Sequence, residues 1–263
     1  MDMKKKYFLT DETTRIMGRT LRRIQAVRKF GMIQEGQKGG WVEKESNLSH
    51  SGMCWLFDDA FVFGDAVVKD DAWVCNNTCV RDLAEVSGFA RVWGHSIISG
   101  SAIVTNQAYI KNSIITHQAL VNQNAYVYNS SVEDNAHVGG YVVISSNVRV
   151  KDSSSVIGVT HISNGTDVLG NSLINANTHI HGTMTLRDAR IFTNKDFIIF
   201  KNWWSSGRYF VWTRSNDMWS VGCFHGTGEK LIEKAYQDSQ LSGDEYKRVV
   251  NYVESIKPIM NKL

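Results

Sequence analysis

His117 and Asp134 are the residues in this chain that most resemble a reacting pair. They stand 17 positions apart, and a chain that coils back on itself at that interval would set the carboxylate beside the imidazole, orienting and charge-stabilising it. Such a pair could act as the general base that deprotonates a hydroxyl or amine nucleophile. The same residues also fit ordinary turn chemistry, because the series Gly64, Asp82, Gly100, His117, Asp134, Asp152, Gly170, Asp188 is a column of turn formers. His161 and His179 repeat at a similar interval, with His181 close by. Two stacked neutral imidazoles could ligate a metal ion, but no carboxylate completes the set, so no metal site is expected.

The C-terminal stretch offers a second set of groups. In GCFHGTGEKL, residues 222–231, a strand ends in a Gly-bracketed turn and a helix begins near Thr227. Free N–H groups there could receive a phosphate or carboxylate, while Thr227 as a helix cap is the plainer role. Cys223 and His225 would share one face of a strand, but a Cys–His nucleophile needs a third, orienting group and none is identifiable. Trp203, Trp204, Tyr209, Phe210, Trp212 and Trp219 crowd into 17 residues. They could stack on a base or a sugar, or form a core and a subunit interface. The candidate ligand-binding set is therefore Trp203, Trp204, Tyr209, Trp212, His225, Gly226 and Thr227. Cys75 and Cys79 form CNNTC without a second Cys/His pair, and with Cys54 they read as free thiols.

Any such group must be positioned by the chain's dominant pattern, an apolar residue at every sixth position from Leu56 to Ile198. It runs Leu56, Val62, Val68, Val74 and so on to Ile110, slips by one to Ile115, Val121 and Val127, and slips again to Val132. From there it continues to Leu186, Phe192 and Ile198. Ala, Ser or Thr usually stands two positions before, and Gly, Asp or Asn two after. Neither a helix nor an alternating strand has this period. A parallel β-solenoid does, because each short face sends one large and one small side chain inward before a turn.

Three hexads per coil make a triangular rod of about eight coils, roughly 40 Å long. Every third corner should then stack, and one column reads Asp58, Asn76, Gly94, Asn112, Asn129, Ser146, Asn164, Gly182. Both slips follow this column, in KNSII and YNSSV, which predicts one corner shortened by a residue in two consecutive coils. A left-handed β-helix is the expected form by analogy with hexapeptide acyltransferases, although their Gly follows the aliphatic by one residue and here it follows by two.

The expected organisation is a small β cap over residues 1–50, the solenoid over 51–198, and an α+β module over 199–263. In the cap, KKYFLT and TLRRIQAVRKF read as strands around a turn containing MGR, and residues 1–45 carry 11 Lys or Arg against six Asp or Glu. Alternate cations on a strand could meet phosphates, yet a solvated edge that resists aggregation explains them as well, and nucleic acid is not an expected partner. In the last module SND reads as a hairpin turn, and SGDE as a capping box with Ser242 as N-cap of a final helix.

The block FLTDET, GRTLRRIQAVRKFG, GGWVEKESNLS and CWLFDDA resembles the start of the YdcK-like β-solenoid family, which recurs in phage and prophage proteins. The match is close over residues 7–70 and generic beyond. The resemblance implies a solenoid and a phage-type origin, and brings no catalytic residues. The ending resembles a module that follows hexapeptide-like repeats in other phage-borne proteins, again without an activity attached.

The chain's 263 residues hold one Pro, Pro258, outside the repeats, and carry a net charge of +3, which favours no partner class. No apolar run reaches membrane-span length and the start lacks a signal-peptide core, so a cytoplasmic, membrane-free protein is expected. No motif calls for a cofactor. The leading expectation is a non-catalytic binding protein, oligomeric and in the first place trimeric, that engages a host protein or sequesters a small anionic ligand such as a nucleotide signal. Outward Trp73, Trp93, Tyr109, Tyr126 and Tyr128 are the interface candidates. The alternatives are a CoA-dependent hexapeptide-type acyltransferase using His117 and Asp134, disfavoured because no long loop interrupts the hexads, and a structural spacer or virion component.

Overall fold

The computed structural model describes residues 5–260. It opens with β1 (Tyr7–Ile16) and β2 (Arg19–Ala26), an antiparallel hairpin whose two-residue turn is Met17–Gly18, both at positive φ. That turn matches the strand twist, as two-residue hairpins require. β3 (Lys38–Val42) pairs antiparallel with β2 on one side and parallel with Phe61–Val62 on the other. It is thus the point where the hairpin sheet becomes the solenoid. Gly39 and Gly40 allow this: a Cβ on Gly39 would lie 2.6 Å from the Trp55 ring, and one on Gly40 2.5 Å from the Ala60 carbonyl oxygen.

From β3 onward the chain makes a three-sided parallel solenoid of about 8 turns. Short strands pair with the strand three further on, so Phe61–Val62 meets Cys79–Val80 and Trp73–Val74 meets Arg91–Val92. We name the faces by their first regular strands: face 1 through Val62, face 2 through Val68, face 3 through Val74. Each hexad apolar residue from Leu56 to Leu186 points inward and is fully buried. Every corner in the two columns read from the sequence has positive φ, from Asp58 at 55° to Gly182 at 125° and from Gly64 at 70° to Asp188 at 53°. Gly, Asn and Asp tolerate that region best, which is why they fill the corners.

The two shortened corners fall where the sequence places them. Asn112–Ser113 and Asn129–Ser130 each turn from face 3 to face 1, where the coil before uses Gly94, His95 and Ser96. The buried hydroxyls there have a defined role. Ser96 Oγ accepts from the Ser113 N–H (3.3 Å), Ser113 Oγ from the Ser130 N–H (3.2 Å), and Ser130 Oγ from the Val148 N–H (3.2 Å). A buried N–H left unpaired is costly, so a serine column accompanies the tightened corner.

Both ends of the repeat differ from the expected series. Val42 and Leu48 already point inward, and Leu48 bridges to Val68, so coiling starts inside the region read as cap. The segment 49–54 then lengthens the first coil and hides that start. At the other end, the strand Arg190–Ile191 pairs with Leu173–Ile174. Ile191 is buried where Phe192 was expected, and Phe192 is 49% exposed. A third slip, at Asp188, shortens the other corner column. Ile198 lies outside the solenoid altogether, in an antiparallel strand. Faces 2 and 3 also merge near this end, where Ser155–Ser163 and Leu173–His181 run unbroken through their corner.

The C-terminal module is an antiparallel meander of Phe197–Lys201, Tyr209–Thr213, Met218–Val221 and Phe224–Gly226, followed by α1 (Gly228–Asp238) and α2 (Gln240–Met260). Alternation on its second strand divides the burial: Phe210 and Trp212 join a core with Trp219, Leu231, Tyr246, Val250 and Val253, while Val211 joins the solenoid core. The meander therefore covers the open end of the rod. The final helix starts earlier than SGDE implied. Ser242 is inside α2, and Ser239, the single residue between the helices, accepts from the Ser242 N–H (3.0 Å). Glu245 bonds Arg248 one turn on instead of closing a capping box.

Truncating an inward residue should therefore damage the rod and truncating its outward neighbour should not. Ile110→Ala is expected to lower stability by about 2–5 kcal/mol, whereas Ile103→Ala, at a position 41% exposed, should change it by about 0.5 kcal/mol or less. Urea unfolding followed by circular dichroism measures both.

Candidate functional site

His117 and Asp134 do stack, on the corner from face 1 to face 2, with His117 Nδ1 3.5 Å from an Asp134 carboxylate oxygen. The surroundings make this a turn. Both residues have left-handed backbone, φ 61° and 58°. The second Asp134 oxygen accepts from the Asp152 N–H (3.2 Å), as Asp82 accepts from Gly100 (3.1 Å) and Asp152 from Gly170 (2.7 Å). The His117 side chain is 62% exposed. Next to it, Glu133 is held by Ser131 (2.7 Å) and Lys151 (3.0 Å). Burial opposes ionisation there, but those bonds keep its carboxyl below the ordinary range.

The histidines of face 3 also stack: the His161 and His179 rings are 5.5 Å apart. His161 Nε2 bonds Ser145 Oγ (3.3 Å) and His181 Nδ1 bonds Ser163 Oγ (3.2 Å). Among the described residues no group of three or more His, Cys, Asp or Glu side chains is placed to hold a metal ion. Burial, then the neighbouring imidazoles of His179 and His181, push the His161 pKa down.

The C-terminal candidates separate from one another. Trp212 is buried and donates its indole N–H to Asp217 (2.8 Å). Trp204 packs edge-on against Tyr246, ring centres 4.9 Å apart. Trp203 stands 70% exposed. His225 is half-buried and bonds Ser220 Oγ (3.0 Å), with its pKa lowered by burial and then by Arg187. Gly226 ends the last strand, and Thr227 caps α1 by accepting from the Lys230 N–H. Tyr209 alone of this set lines the cleft between meander and α1, a cavity of about 260 Å³ that also holds Arg208, Cys223, Phe224, Lys234 and Tyr246. Those partners come from the loop before the second strand, the last turn and strand of the meander, and both helices, and no local motif joins them.

Face 3 gathers the outward aromatics into one stripe. Cross-coil register aligns Trp73, Arg91, Tyr109 and Tyr126 in one row and Trp93, Lys111 and Tyr128 in the next. The Arg91 guanidinium lies 4.0 Å from the Trp73 ring centre and is fixed by the Asp71 carbonyl (2.8 Å). Tyr109 stacks with Tyr126 (5.5 Å) and with Trp93 (6.5 Å), and Phe57 meets Trp73 edge-on (5.4 Å). Tyr126 and Tyr128 are 50% and 41% exposed. At the cap end Met32, Phe57, Trp73, Cys75 and Trp93 border a hollow of about 250 Å³. The Trp93 indole N–H is buried without a hydrogen-bond partner. Burial raises the Cys75 thiol to about 12, and the Asp58 carboxylate raises it too. Among the described residues no helix is long and apolar enough to cross a membrane.

Two predictions follow from the corners and the imidazoles. Since His117 occupies left-handed backbone, His117→Gly should stabilise the fold by about 1 kcal/mol, and Asp134→Ala should destabilise it by about 1–2 kcal/mol through the lost acceptor; urea titration reads both. His137, His161 and His225 all have pKa values lowered, in each case first by burial. The unfolded chain therefore takes up protons before the native state does. Stability contributed in full above about pH 6.5 should fall as pH drops through the lower native values. Melting temperature against pH checks this, and His161→Gln should flatten part of the slope.

No family model matches the chain, and no curated protein is detectably similar to it in sequence.

Proposed function

We propose that this protein works by binding and not by catalysis, as an oligomer whose subunits associate along face 3. The observation that carries the reading is the stripe, in which aromatic rings and two cations repeat in register on one flat side of a rigid rod. Rigid, half-exposed Trp and Tyr with Arg are the residues that dominate interface energetics, because they supply large contact area at small conformational loss. A trimer is the assembly proposed. The resemblance of residues 7–70 to YdcK-like solenoids supports a phage-type accessory role for it, with a host protein or a small anionic ligand as the target. The His117–Asp134 pair supports the acyltransferase alternative poorly, since the imidazole stands open at a corner.

Native mass spectrometry and sedimentation test the association. The wild-type chain should be oligomeric at micromolar concentration, and the double substitution Tyr109→Asp with Tyr126→Asp should weaken association by about 100-fold without changing the circular dichroism. Ile103→Asp, on face 2, should leave assembly unchanged. A monomeric wild type, or an oligomer indifferent to the double substitution, would sink the proposal.

A further inference from the structure

We propose that the cleft between the C-terminal meander and α1 binds a small phosphorylated compound with a flat ring, of the nucleoside monophosphate or aryl phosphate class. This deepens the reading of the protein as a binding protein by naming a ligand class.

A second recess of about 190 Å³, against Asp167, Thr183 and Thr185, shares Arg208, Tyr209 and Gly222 with the cleft of about 260 Å³. Arg208 and Tyr209 border both. Two cations, Arg208 and Lys234, line the larger one together with one carboxylate, Asp238, a turn beyond Lys234 on α1. Neither cation has an ion-pair partner among the described residues. A planar guanidinium with its donors unused matches a phosphate in charge and geometry.

The walls explain the flat ring. Tyr209 is half-buried, seated on the last corner, where a Cβ on Gly182 would fall 2.6 Å from its ring. Phe224 lies under the Lys234 ammonium, 5.8 Å from ring centre to nitrogen. Two lining residues, Asn202 and Tyr246, are held together by a buried hydrogen bond from Asn202 Nδ2 to the Tyr246 hydroxyl (2.9 Å). Apolar sides with a few convergent polar groups are the usual makeup of a small-molecule site. Asp238 supplies an acceptor for a ring amine or N–H, which favours a nitrogen-bearing ring over a plain aryl group.

The chain carries its own reporter. Cys223 is exposed and lines the cleft, while Cys54 and Cys75 are buried and Cys79 is half-buried. Burial raises all three of those thiols, to about 12 for Cys75 and about 11 for Cys79. Neutral iodoacetamide near pH 8 should therefore alkylate Cys223 first.

The experiment measures that alkylation rate on the full chain, by intact mass and peptide mapping, with adenosine monophosphate, phenyl phosphate, adenosine or inorganic phosphate present. A saturable slowing of about tenfold by the ring-bearing phosphates at excess concentration is expected, with adenosine and inorganic phosphate much weaker. Arg208→Gln and Lys234→Gln, both at exposed positions, should abolish the protection when each variant's rate with ligand is compared with its own rate without ligand, since removing a cation beside Cys223 also changes the thiol's intrinsic reactivity. Absence of protection at millimolar concentration, equal protection by inorganic phosphate, or protection that survives both substitutions would each overturn the proposal. Because the cleft lies within one chain, its failure would leave association along face 3 standing, and a monomeric wild type would leave the cleft assay readable.

Discussion

The structure depends on one requirement: each coil's backbone N–H and C=O groups must be met by the coil above and below. A two- or three-residue strand cannot satisfy itself, so the chain must return to the same place, in register, after each circuit. Six residues per face, with one large and one small side chain inward, is the solution the repeat adopts. Left-handed backbone at the corners follows, because only a sharp turn keeps the faces flat enough to stack. The corner residues then serve twice. Their φ makes the turn, and their side-chain oxygens accept the corner N–H of the next coil, as Asp70 does for Gly88 (3.0 Å) and Asp82 for Gly100 (3.1 Å).

That double duty explains why the repeat looks catalytic and is built as a turn. Carboxylates, amides and an occasional imidazole stacked one coil apart reproduce the distances of an acid–base pair without its environment. A working base needs a substrate position beside it from which water is excluded. His117 faces water at an open corner, and the Asp134 oxygen that does not face it accepts the Asp152 N–H of the turn. The polar groups with unused capacity lie elsewhere. Arg208 and Lys234 stand at the covered end, and the unpaired Trp93 indole N–H belongs to the face 3 stripe.

The repeat was legible because period six is written redundantly, and the two serine corners because a deletion displaces every later position. The ends were not, and each miss has a local cause. Val42 and Leu48 keep the interval, but the segment 49–54 breaks it before the regular run begins. At the far end Ile191 and Phe192 are both apolar, so a slip of one changes nothing in the pattern and only burial distinguishes them. Ser239 and Ser242 are both competent helix caps, and the choice was made by how closely α1 precedes α2. The aromatic-rich C-terminal stretch was recognisable as unusual, but whether a ring lines a cleft or a core depends on strand alternation against two different neighbours. Trp212 and Tyr209, three residues apart, went opposite ways. Arg208, Lys234 and Asp238 carry no local signal, since only the fold brings them together.

Capping links these observations to the proposed binding role. An uncapped rod would grow end to end through its exposed backbone, so β1 and β2 close one end antiparallel and the meander closes the other. Each cap leaves a hollow where it meets the coils. At the first end Met32 lines one together with Phe57 and Trp73, and at the second Tyr209 sits on Gly182. The coils between them place outward rings at a fixed repeat that no single ring can leave without breaking the ladder beneath it. Tyr109 and Tyr126, 5.5 Å apart, are worth about 1 kcal/mol to each other, too little to account for the fold and enough to hold the rings in one orientation. A partner meeting that surface meets it already ordered, and pre-ordering lowers the conformational entropy lost on association.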